Sequence, residues 1–211
     1  MPPAFPLPLR NALAALAVEA ATDDVACAAL VWLTAPHATP PAEVAARLAA
    51  GHLVDPGSAA LLDVHAPWAD AVATHAHRAA RAAAARRARP SSPGAGAVDR
   101  ALDDAAALWA EGLFFEVHEV LEAAWQPLTG DARHGLQGVI QIAVAFHHLR
   151  HGNARGARNL LRDGSERLHG AADALPHLDA PALLAGLGPW QVALESGAEP
   201  PATPPPPLTL R

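Results

Sequence analysis

Apolar residues recur at helical spacing along most of the chain, and no stretch alternates polar and apolar as a half-buried strand would. In the first half the pattern predicts helices over residues 8–21 and 23–35, with Asp23 placed to cap the second. Thr39 followed by Pro40 and Pro41 reads as the start of a third helix, which would run to Gly51 as its left-handed terminator. A longer helix is expected over 67–89. Beyond Val72 it is almost entirely Ala, Arg and His, so it has little to bury and its far end is expected to be exposed. The second half predicts helices over 98–111, 114–126, 132–151, 154–169 and 179–195. Asp131 and Asn153 serve as caps for two of these, and Gly186, Gly188 and Pro189 break the last. The fold class is therefore all-α, a helical bundle with an additional Ala-rich helical N-terminal region.

Proline and glycine punctuate this pattern. The run Arg89-Pro90-Ser91-Ser92-Pro93-Gly94-Ala95-Gly96 cannot hold a helix. It divides the chain into an Ala-rich region over 1–89, a linker over 90–97 and a bundle over 98–195. A Pro-rich tail over 196–211 should be extended on the domain surface. Alanine makes up about a quarter of the 211 residues, which reinforces helix over strand. With 51% hydrophobic and 17% charged residues the chain is too apolar to be disordered and too interrupted by charge for a membrane protein. There is no run of 18 apolar residues, and the opening MPPAFPLPLR lacks a basic n-region, which predicts neither a membrane span nor a signal peptide. Cys27 is the single cysteine, which excludes an intrachain disulfide framework and a cysteine-based zinc site. It fits a reducing compartment, and a cytoplasmic location is expected.

All 15 basic residues are Arg, and the net charge of −6 lies entirely in residues 98–211. Within that half, 98–131 holds eight acidic residues and one Arg, whereas 132–169 holds six Arg and two acidic residues. The simplest reading is an acidic helical hairpin against a basic one. A sharper reading is an anion site on Arg150, Arg155, Arg158 and Arg162, and Arg78, Arg81, Arg86, Arg87 and Arg89 form a second basic cluster. The negative net charge and the lack of basic residues interleaved with aromatics argue against a dedicated nucleic-acid module.

The densest chemistry lies in Phe114-Phe115-Glu116-Val117-His118-Glu119-Val120-Leu121-Glu122-Ala123-Ala124-Trp125. On a helix, His118 and Glu122 fall one turn apart on one side, with Val117, Val120, Leu121 and Ala124 on the opposite arc. The next long helix is apolar almost all round, yet Gln137, Gln141 and His148 share one narrow sector, with His134 near them. A short connection predicts that the two helices are antiparallel neighbours. The obvious hydrogen-bond partners of the two amides are then His118, Glu119 and Glu122. Three uses compete for such a cluster. One is a structural polar network that fixes helix register. The second is a divalent metal site for Zn, Mn or Fe on His118, Glu122 and His148, with Glu119 as a further ligand or general base. The third is metal-free acid–base chemistry on a desolvated Glu, with Glu119 as the catalytic candidate. The sequence His-Glu-x-x-Glu lacks the second His of the zinc-protease helix, so protease chemistry does not transfer.

The run Glu111-Gly112-x-Phe114-Phe115-Glu116-x-His118-Glu119-x-x-Glu122-x-x-Trp125 resembles the signature of domain-of-unknown-function (DUF) family 309. So do Leu136-Gln137-Gly138-x-x-Gln141-x-Ala143 and Gly152-Asn153-x-x-Gly156-Ala157. The resemblance spans about residues 99–195. It implies a compact all-helical domain of a cytoplasmic bacterial-type protein, and a site rather than a reaction. By motif position it carries over Glu116, His118, Glu119, Glu122, Gln137, Gln141 and Asn153. Of these, Glu116, Gln137, Gln141 and Asn153 would contact a small polar or anionic ligand. Ala110-Glu111 departs from the small polar residue often found before the first motif's Gly, and residues 1–97 have no counterpart. A non-enzymatic scaffold, which could form a homodimer through its Ala-rich faces, is the alternative to a metal- or ligand-binding protein.

Overall fold

The computed structural model describes residues 5–36 and 38–211. Its described residues form nine α-helices and two short 3-10 turns, with no strand beyond two isolated bridges. The protein is all-α, as the periodicity requires. No described helix is long and apolar enough to cross a membrane. The chain divides into two compact units, residues 1–90 and 91–211.

The first unit holds α1 (Leu7–Glu19), α2 (Asp24–Thr34), α3 (Ala42–Ala50) and α4 (Ala69–Ala88). Asp23 caps α2 as expected, its carboxylate accepting from the Ala26 amide at 2.9 Å. The helix after Thr39 starts later than predicted, with Pro41 at the N-cap. Gly51 ends it with φ −81°, and the left-handed residue is the next one, His52, at φ 54°. The last turn of α4 is exposed at Ala84, Ala85, Arg87 and Ala88, as expected, but its middle is packed. Ala76, Ala79, Ala82 and Ala83 are buried, because small side chains at helical spacing let backbones approach closely even though each buries little area. Arg87 at that end donates to the Ala20 carbonyl at 3.0 Å and to Asp24 at 2.5 Å, tying α4 to the α1–α2 turn.

The second unit holds α5 (Ala97–Ala110), α6 (Phe114–Trp125), α7 (Gly130–Arg150), α8 (Ala154–Gly170) and α9 (Ala180–Ser196). Each packs on its neighbour in sequence, most extensively α7 on α8. Trp109, Phe114, Phe146 and Trp190 build an aromatic core, with Phe146 edge-on to Trp109 and Trp190 at centroid distances of 5.6 and 5.1 Å. Asn153 caps α8 through the Gly156 amide at 2.9 Å. Asp131 does not cap α7; the helix starts at Gly130 after Thr129, which places Asp131 in the first turn, near the positive end of the helix. The predicted break in α9 is absent: the helix continues through Gly186, Gly188 and Pro189. Burial of Leu183, Leu187, Trp190 and Leu194 on one face outweighs the poor propensities of these residues.

The proline-rich tail is part of this unit. The Trp109 indole N–H donates to the Pro206 carbonyl at 2.9 Å, and Leu208 is buried. Further along, the Asp179 amide donates to Thr209 at 2.9 Å and the Arg211 amide to His177 at 2.8 Å. Gly186 faces Pro206 at a point where a side chain would collide with the ring.

Candidate functional site

The register of α6 sets the site. Phe114, Val117 and Leu121 are buried, while His118 and Glu122 lie at one edge of that face and Glu119 is exposed beside them. The His118 ring lies between two carboxylates. Its Nδ1 is 3.1 Å from Glu119 Oε1 and its Nε2 is 3.1 Å from Glu122 Oε2. Nδ1 is shielded from solvent yet makes no hydrogen bond, so its approach to Glu119 is close but not aligned for donation. One ligand atom from each of His118, Glu119 and Glu122 lies within 4.8 Å of the others, the group of this kind found among the described residues.

The other expected site residues are distributed differently. Glu116 is 3% exposed, but it stands two residues from His118, about 200° around the helix, and is outside the cluster. His148 is also outside it, and its Nδ1 faces the Asn153 side-chain amide at 3.0 Å, joining the end of α7 to the start of α8. Gln141 lies beside α8 at its Cβ: a Cβ built on Gly164 would lie 3.0 Å from it. Its Oε1 is buried without a hydrogen-bond partner. Gln137 is half-buried on α7. The cluster is therefore supplied by α6 alone.

Arg150, read as part of an anion site, instead donates to the Gly112 carbonyl and sits 5.4 Å from the Phe114 ring centroid. Arg162 pairs with Asp163 at 2.9 Å, while Arg155 and Arg158 are exposed on α8. Two contacts were not anticipated from the sequence. Arg133 stacks over the Trp125 ring at 3.6 Å and donates to the carbonyls of Trp125, Gln126 and Leu128, closing the C-terminal end of α6. Phe115 contacts the imidazoles of both His118 and His147, at centroid distances of 5.9 and 5.7 Å. Only the i, i+3 spacing of Phe115 and His118 was visible in the sequence.

These features define an all-helical domain with a histidine–dicarboxylate cluster on one edge of a core helix. Residues 102–160 match the family model described as Domain of unknown function (DUF309), which includes all three motifs noted in the sequence. No curated protein and no solved structure matches the chain.

Proposed function

We propose that the second unit binds a divalent transition metal through His118 and Glu122, with Glu119 completing or orienting the site. The observation that carries this reading is the convergence of one imidazole and two carboxylates within 4.8 Å. A mixed N/O set of this kind suits Zn, Mn or Fe. Each carboxylate brings an oxygen to 3.1 Å from a ring nitrogen of His118, Glu122 at Nε2 and Glu119 at Nδ1. The site is half-exposed, so water would fill the remaining positions and a small polar or anionic ligand could replace it. In this reading Glu119, the most exposed of the three, accepts a proton from such a water. Cys27 is a free thiol, consistent with the cytoplasmic location we assign.

The experiment is metal analysis of protein purified without affinity tag or chelator, followed by titration with Zn, Mn and Fe(II). One equivalent bound by the wild type, lost in His118→Ala and Glu122→Gln with unchanged helical circular dichroism, is the expected result. Absence of metal, with no binding on titration, overturns the proposal. A second reading rests on the same ring: its approach to Glu122 at 3.1 Å through Nε2 would act as a structural clamp within α6. That reading gains if His118→Ala lowers the unfolding midpoint while the wild type binds no ion.

A further inference from the structure

We propose that His147 and His151 form a second transition-metal site, at the C-terminal end of α7 and separate from the His118 cluster. The two residues are four apart, the spacing that stacks side chains on one helix face. Their rings lie 4.3 Å apart between centroids with a 42° tilt. His151 Nδ1 is 2.8 Å from the His147 carbonyl oxygen. A carbonyl can only accept, so Nδ1 carries the proton and Nε2 is left as the lone-pair nitrogen. This is the arrangement found in metal-bound histidines, where a backbone carbonyl holds one nitrogen and the other ligates. One nitrogen of His147 is enough for the second bond, whichever contacts its other atoms keep.

Position favours a cation as well. His151 is the C-cap of α7, where the unpaired carbonyls of the last turn give the helix its negative end. His151 is exposed, so an ion can reach it and water can complete its shell. Two imidazoles with water favour Cu(II), Ni(II) and Zn(II) over Mg or Ca, which prefer oxygen. The pair lies at the end of α7 and neither histidine belongs to the His118, Glu119 and Glu122 group of α6, so the two sites are distinct. The inference does not depend on the function proposed for His118.

The test is a Ni(II) titration of the full-length protein followed by two-dimensional amide NMR. Broadening centred on residues 147–151 is expected in the wild type and in His118→Ala. Loss of an outer-shell partner alone costs about 10–100-fold in metal affinity, so removing a direct ligand in His151→Ala should weaken this site at least tenfold. His151 is exposed, so that variant should fold; His147→Gln provides a second check. His169→Ala, on an exposed histidine of α8, should leave the site intact. The proposal is overturned if broadening is absent from 147–151, if His151→Ala binds Ni(II) as the wild type does, or if His169→Ala removes the signal.

Discussion

Gly138 of α7 lies against Gly164 of α8 at backbone contact: a Cβ added to Gly138 would stand 2.7 Å from the Gly164 carbonyl oxygen, and one added to Gly164 would stand 2.8 Å from the Gly138 carbonyl oxygen. Neither neighbour can rotate away, because both are main-chain atoms within helices. The most extensively packed helix pair of the second unit therefore depends on two absent side chains.

Gly138→Ala is expected to destabilise the protein despite the better helix propensity of Ala. Overpacking of a tight core typically costs about 1–3 kcal/mol, and propensity returns only about 1 kcal/mol. Urea unfolding of Gly138→Ala beside Gly188→Ala, where a Cβ meets nothing within 4 Å, checks this. Gly138→Ala should lower the midpoint, whereas Gly188→Ala should leave it unchanged or raise it.

Gly112 and Arg150 should be energetically coupled. Gly112 has φ +68°, and a Cβ there would lie 2.8 Å from the Arg150 guanidinium that donates to its carbonyl. A left-handed conformation costs a non-glycine residue about 1–2 kcal/mol. Gly112→Ala should cost roughly that much, and Arg150→Ala about 1 kcal/mol for the lost hydrogen bond. In a double-mutant cycle the combined loss should fall short of the two single losses together, because Gly112→Ala already displaces the guanidinium. Strict additivity would show that the contact contributes nothing.

The loop after α3 should loosen in acid. Asp55 is held below the ordinary carboxylate range, first by the Ser58 amide, then by the Ser58 hydroxyl and the Gly57 amide. A carboxyl whose folded value is depressed contributes order above its unfolded pKa and loses that contribution as pH falls through the folded value. The amides of Gly57 and Ser58 should therefore exchange faster with solvent only below about pH 4. Asp55→Asn should shift the Gly57 and Ser58 amide resonances at neutral pH and remove their acid titration. An NMR titration that finds an ordinary carboxylate pKa for Asp55 would contradict this.

Much of this structure could be read from the chain. Helix positions in both units follow from apolar spacing, and the caps at Asp23 and Asn153 follow from short polar side chains placed before apolar runs. The pairing of His118 with Glu122 was legible because one turn of one helix fixes it. Errors arose where packing overrode local preference. Pro189 sits inside an unbroken helix because one face of α9 is buried.

By itself the sequence determined which segments are helical, where they are capped, and that His118, Glu119 and Glu122 share one stretch of helix, since all three depend on residues within about a turn of each other. Tertiary structure alone decided that Arg150 serves the α5–α6 turn, that the tail lies on Trp109, and that His148 belongs with Asn153 instead of the α6 cluster. Those outcomes depend on how closely neighbouring helices approach and at what rotation. That is set by the volumes of side chains on both partners at once, which no periodicity within a single segment encodes.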